Sequence, residues 1–249
     1  MSIEYGGKTV FGGSIGVMML ETRFPRIYGD IANANTWPFP VHYRIVKGAS
    51  PHRVVRKRAE GLLDGFIEAG RELVVLGADV LTTNCGFLAL IQNEVRDAVG
   101  VPVATSSLMQ VPMVNAMLPE GMRAGIITIS REHLSEDHLK AAGVPLDTPI
   151  VGTEGGREFT RKILDDLPEI DFAACHEDLR DAADEMMRDH ERIGAIVLEC
   201  TNMAPYAPEI RKVTGVPVFS IYTHVCWMQS ALVPRHFGHR LDDPVHPRR

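Results

Sequence analysis

Along the chain, short runs rich in β-branched residues alternate with longer stretches whose apolar residues recur at helical spacing. Strands buried on both faces read as continuous apolar runs, so this alternation predicts an α/β protein built on parallel sheets with helices over them. Strands are expected at Ile15 to Leu20, Val80 to Thr83, Val103 to Thr105, Ala124 to Ile129, Ile150 to Val151, Ala195 to Leu198 and Val218 to Ile221. Helices are expected over Arg53 to Leu76, Asp178 to Ile193 and Ser130 to Ala142, the last stopped by Gly143. Glu21 to Pro51, rich in Pro, Asn and aromatics, reads as a long connection, either a lid or a dimer arm. Arg23, Tyr28, Trp37, Phe39 and Tyr43 are its candidate pocket-lining residues, with packing over the surface as the alternative.

An internal repeat organises this pattern. Laying ADVLTTNCGFLALIQNEVRDAVGVPVA over GAIVLECTNMAPYAPEIRKVTGVPVF without a gap pairs Cys85 with Cys200, Glu94 with Glu209, Arg96 with Arg211 and Gly100 with Gly215. It also pairs Val101-Pro102-Val103 with Val216-Pro217-Val218. Each copy reads as a buried strand, a polar turn carrying Cys, a helix closed by Gly, and a Pro-started strand. A weaker echo of SIGVMML in RAGIITI gives each half an equivalent first strand. Two lobes related by a pseudo-twofold are therefore expected. Lobe 1 comprises 1–115 with Cys85, lobe 2 comprises 116–225 with Cys200, and a C-terminal segment, 226–249, packs back on lobe 1.

In open parallel sheets, ligands bind beyond the carboxyl ends of the strands, where both cysteine turns fall. A helix N-terminus favours a thiolate and offers free N–H groups to an anion. Cys85 and Cys200 are thus the candidate acid–base pair, one thiolate removing a proton beside a carboxylate and the opposite thiol returning one. Candidate substrate-binding residues are Thr83, Asn84, Gly86 and Phe87 in the first turn and Thr201 and Asn202 in the second. Thr128, at the end of a matched strand, joins them. Ser14 enters from the loop Gly12-Gly13-Ser14, which leads into a strand and so lacks the helix context of a phosphate loop. His224 is a candidate because a histidine ordinarily titrates near neutrality, with a backbone-bonded strand-end histidine as the alternative. Thr105, Ser106 and Ser107 border the same edge or cap a helix. Cys175 and Cys226 are read as structural thiols.

Composition narrows the classes. With 45% hydrophobic and 23% charged residues, a net charge of −6 and no Lys/Arg-rich block, no nucleic-acid surface is expected. No apolar run reaches the ~18 residues of a membrane span, and no secretory leader pattern opens the sequence, so cytoplasmic residence is the default expectation. Four dispersed cysteines suit free thiols rather than a disulfide framework. The histidines show no metal-ligand spacing, so no metal is expected.

TTNCGF and LECTNM, in halves of this size and order, resemble the paired cysteine motifs of the aspartate/glutamate racemase superfamily, which includes hydantoin racemases, maleate isomerases and arylmalonate decarboxylases. The resemblance implies two flavodoxin-like lobes, a cofactor-free active site in the cleft between them, and Cys85 and Cys200 as its acid–base pair. Gly86 after the first cysteine and Asn202 after Cys-Thr depart from the amino-acid racemases. The Cys-Gly-Phe and Glu-Cys-Thr-Asn-Met pair looks closer to a branch that also resembles algal-type dimethylsulfoniopropionate lyases. The leading expectation is an isomerase, a racemase of a small α-substituted carboxylate or cyclic amide, acting as a homo-oligomer (dimer or tetramer). A lyase or decarboxylase on the same scaffold is the alternative, and a non-enzymatic small-acid binding protein is the different-class one.

Overall fold

The computed structural model describes Ile3 and residues 5–235. The chain forms two four-stranded parallel sheets of identical topology. In the first, β1 (Ile15–Leu20) lies between β2 (Val41–Val46) and β3 (Val80–Thr83), and β4 (Val103–Ala104) pairs with β3. In the second, β5 (Arg123–Thr128) lies between β6 (Ile150–Gly152) and β7 (Ile193–Leu198), with β8 (Val218–Phe219) outside β7. The order 2-1-3-4, repeated as 6-5-7-8, is the flavodoxin-like arrangement, whose strand order reverses between the first and third strands of each unit. The connections between strands carry α1 (Leu63–Leu76), α2 (Gln92–Val99) and α3 (Val111–Met117), then α4 (Glu136–Ala141), α5 (Phe159–Leu164), α6 (Phe172–Asp189) and α7 (Ala207–Thr214), and α8 (Ile221–Leu232) follows β8.

β1 is buried along its whole length because both its faces are covered. Met18 and Leu20 enter the larger core, which continues through Ile126, Ile127, Val197 and Leu198 of the second sheet. Ile15, Val17 and Met19 point the other way, onto a smaller core with Trp37, Ile221, Val225 and Met228. Helix α8, which follows the last strand of the second sheet, therefore rests on the first. Of the expected returning segment, residues 236–249 lie outside the described residues.

Four expectations are corrected. Glu21 to Pro51 is not wholly a connection, since it contains β2, an edge strand whose exposed Arg44 and Ile45 blur the alternation. Arg53 to Leu76 is not one helix: a π-helical turn at His52–Arg56 ends where Arg58 (φ 55°), Ala59 (φ 56°) and Gly61 (φ 68°) reverse the chain before α1. The helix expected from Ser130 begins only at Glu136, where Ser135 and His138 form a reciprocal cap, while Ser130 bonds His133. Finally, α6 starts at Phe172, six residues before the expected Asp178, because Asp171 accepts hydrogen bonds from Ala173 N and Ala174 N.

Candidate active site

Each cysteine occupies the N-cap position of a six-residue 3-10 turn, Gly86–Ile91 or Thr201–Tyr206, that runs directly into α2 or α7. Gly100 and Gly215 close those helices in the left-handed conformation. Both turns lie at the reversal point of their own sheet. Their thiols line one narrow cavity of about 20 Å³, together with Asn84, Glu199 and Asn202. That volume holds about one water molecule, so a substrate enters only when part of the wall moves. The wall is largely apolar, with Leu20, Phe24, Val55, Ile129, Ile163 and Leu164 facing inward.

Burial is the main force acting on both thiols, pushing each well above the ordinary thiol range, and nearby Glu199 adds to it. Backbone N–H groups of Phe87 and Leu88 act against this at Cys85, as does the Arg26 guanidinium. The Cys200 thiol donates to Asn202 Oδ1 at 3.4 Å. Each turn is fastened to the other half. Thr201 Oγ1 donates to Asn84 O at 2.6 Å, and Ser107 Oγ lies 2.6 Å from Leu198 O.

Among the expected binding residues, Asn84 and Asn202 line the cavity beside the two cysteines. The Asn84 Nδ2 amide is buried without a partner. Asn202 Nδ2 is already engaged, donating to Asp30 Oδ2 at 2.6 Å. Thr83, Thr128 and Thr201 stand behind the cavity. Thr83 Oγ1 donates to Thr105 O, and Thr128 Oγ1 donates to Glu199 Oε2 at 2.8 Å. Gly86 packs against Glu199, and Phe87 is core, its ring edge-on to His138 at 5.0 Å.

Two candidates do not join them. Ser14 precedes β1, at the edge opposite the cavity, where its carbonyl accepts from Asp79 N and Val80 N. The six residues of β1 separate it from Leu20 by roughly 20 Å. His224 is in the first turn of α8, bonded to the backbone of Ser106, and burial lowers its pKa to about 4. Cys175 is buried in α6, and Cys226 lies on α8, both away from the cavity.

Two cavity residues carried no signal strong enough to be singled out. Arg26 bonds Asp30 at 3.1 Å and Thr22 Oγ1 at 2.9 Å and lies 4.2 Å above the Phe24 ring, anchoring the loop after β1 over the site. Of that loop's expected lining residues, Arg23 instead pairs with Asp166 outside, Tyr28 is exposed, and Trp37 stacks with Phe39 and Tyr222. Tyr43 bonds Ile31 O. Glu199 is fully buried at the end of β7, an apolar strand that would not ordinarily end in a charge.

The fold has solved counterparts. Allantoin racemase from Klebsiella pneumoniae superposes with a TM-score of 0.62 at 18% identity, covering 88% of each chain. Unliganded arylmalonate decarboxylase superposes at 0.56 and 16% identity, covering 92% of this chain and 96% of that one. These likenesses show a fold shared with a racemase and a decarboxylase. Its sequence relatives include lyases: dimethylsulfoniopropionate lyase 3 of Emiliania huxleyi is 29% identical over 260 residues, spanning 94% of this chain and 67% of its own. A dimethylsulfoniopropionate lyase of Durusdinium sp. clade D is 27% identical over 214 residues, spanning 83% and 70%. No family model matches the chain. The scaffold is therefore a racemase- or lyase-type enzyme scaffold. Among the described residues, no helix is long and apolar enough to cross a membrane, and no three His, Cys, Asp or Glu side chains group as metal ligands.

Proposed function

We propose that the chain is a cofactor-independent lyase that removes a proton from the carbon beside a carboxylate and expels a β-substituent. The observation carrying this reading is that two thiols from matched turns line one cavity with an unpartnered amide donor, Asn84 Nδ2. A buried donor without a partner is costly and suits a ligand oxygen. One thiolate takes the C2 proton. The C2–H electron pair becomes a C2–C3 double bond as the bond to the β-substituent breaks with its pair. Charge building on the carboxylate during proton removal is met by Asn84.

The relatives favour dimethylsulfoniopropionate as the substrate, giving acrylate and neutral dimethyl sulfide. The apolar side of the cavity, Phe24, Val55, Ile163 and Leu164, suits the two S-methyl groups. Racemisation of a small carboxylate is the second reading, favoured by thiols contributed from both halves and by the allantoin racemase likeness in fold.

Proton NMR in deuterated water separates these outcomes. The lyase reading predicts dimethyl sulfide and acrylate from dimethylsulfoniopropionate. Deuterium exchange with loss of optical activity in a chiral α-substituted acid, without release of a fragment, would replace it with the racemase reading. Saturable binding of dimethylsulfoniopropionate, without exchange or product from any acid tested, would replace both with a non-enzymatic binding protein.

A further inference from the structure

The two halves are not equivalent at the position preceding each cysteine. The repeat pairs Asn84 with Glu199, each one residue before its cysteine. The hydrogen bonds confirm this equivalence. Asn84 Oδ1 accepts from Leu20 N, at the end of β1, at 2.7 Å. Glu199 Oε2 accepts from Ile129 N, just past β5, at 3.4 Å and from Thr128 Oγ1 at 2.8 Å. In both cases the remaining atom, Asn84 Nδ2 or Glu199 Oε1, is buried without a partner. Both side chains line the thiol cavity. One half thus presents an amide that cannot titrate, and the other presents a carboxyl that can.

We propose that Glu199 is the proton acceptor that converts one of the two thiols to its thiolate, and that the Asn84/Glu199 difference makes the two cysteines unequal. Glu199 acts through the thiols rather than on the substrate. The carboxylate takes the S–H proton, leaving a thiolate and a carboxylic acid. The thiolate then takes the C2 proton of the substrate and returns to the thiol, and Glu199 keeps the first proton until products leave. Elimination releases one net proton, whereas racemisation releases none, so a single carboxyl in one half fits elimination. The reaction step rests on the lyase reading, but the pairing of Glu199 with a thiol does not.

The surroundings suit this role. Burial raises the Glu199 pKa to about 7, while the Thr128 and Ile129 donors oppose the rise. A group titrating there exchanges protons at neutral pH. The titratable and charged groups facing it are Cys85 from the turn after β3, Cys200 from the turn after β7, and Arg26 from the loop after β1. Asp30 lies behind Arg26 and Asn202. Arg26 is held by Asp30, so it leaves Glu199 Oε1 unpaired. A β-carbon on Gly86 would lie 2.4 Å from Glu199 Oε1, so glycine after Cys85 is what admits the carboxyl to this turn.

The test needs no substrate. Iodoacetamide alkylation of the full chain, read at Cys85 and Cys200 by peptide mass spectrometry, is followed from about pH 5.5 to 9 in wild type and Glu199→Gln. One thiol of the wild type is expected to gain reactivity in a step near pH 7, and Glu199→Gln to lose that step while its far-ultraviolet circular dichroism is unchanged. A Glu199→Gln protein that reacts as fast as wild type near neutrality, or faster, overturns the proposal, because removing a negative charge alone produces that result. If Glu199→Gln does not fold, Thr128→Val decides. Losing the donor to Oε2 must move the step to higher pH, and an unmoved step overturns the proposal. A step in the wild type without release of dimethyl sulfide in the separate turnover assay would sink the lyase reading and leave the Glu199 pairing standing.

Discussion

Gly86→Ala tests the contact on which the geometry of the site depends. A β-carbon built at residue 86 meets Glu199 O and Oε1 at 2.4 Å each, against the 3.5–4.0 Å of an ordinary van der Waals contact. About 1 Å of displacement is therefore required. Neither oxygen is free to give it: Glu199 O lies 3.0 Å from Ser107 Oγ, Glu199 N donates to Ile127 O at 2.9 Å, and the opposite carboxyl oxygen is held by Thr128. Overpacking of this kind costs about 1–3 kcal/mol. In a chain of this size, each kcal/mol lowers Tm by roughly 2–4 °C. Differential scanning calorimetry should show that loss, and alkylation of Cys85 should lose its wild-type pH profile as the turn shifts. A Tm within about 1 °C of wild type, with an unaltered Cys85 profile, would refute the claim that Gly86 and Glu199 are wedged together.

Stability should also depend on the Glu199 proton. Its pKa rises from an ordinary 4.5 to about 7 on folding, so its stabilising contribution is complete below pH 4.5 and lost as pH climbs through 7. The difference is about 3 kcal/mol, and urea denaturation at pH 5 and pH 8 should show it as a stability change in wild type that is less favourable to high pH, by about that amount, than the change in Glu199→Gln, a comparison in which the histidine contributions cancel. His138 and His224 act in the opposite sense. Burial lowers both to about 4, so their contribution is present above 6.5 and fades as pH falls toward 4. Replacing His224 with Gln should reduce the loss of stability over that acid window. Arg26→Ala removes the partner of buried Asp30 and should cost about 1.5–3 kcal/mol, limited by the Asn202 and Ala32 donors that remain. Equal denaturation midpoints would show that the pair does not anchor the loop.

Much of the fold was legible because buried parallel strands have a simple signature. β1 appears in the sequence as a continuous apolar run and β3 as a short run rich in β-branched residues, and their observed bounds match the expected ones. β2 escaped because an edge strand need not alternate cleanly, and His42, Tyr43 and Arg44 face mixed surroundings. The false helix over Arg53 to Leu76 shows a different limit. Val54, Val55 and Leu62 keep an apolar pattern, but the left-handed Arg58 and Ala59 are non-glycine residues with no compositional marker. At the site, the repeat led to Cys85 and Cys200 because identities stand out. Glu199 lay in the same alignment opposite Asn84, where a difference rather than an identity carried the information. Arg26 reaches the cavity only because Asp30 and Thr22 hold its loop there, a tertiary fact with no sequence period.

The central claim is that Cys85 and Cys200 serve one reaction in one cavity. The most direct test is the rate of dimethyl sulfide release from dimethylsulfoniopropionate by wild type, Cys85→Ser and Cys200→Ser, measured side by side by headspace gas chromatography. Serine is nearly isosteric but far less acidic, so loss of the proton-transferring thiol should lower turnover by about 10²–10⁴-fold. Both variants should retain the wild-type Tm within a few degrees. Wild-type turnover in both folded variants would contradict the account.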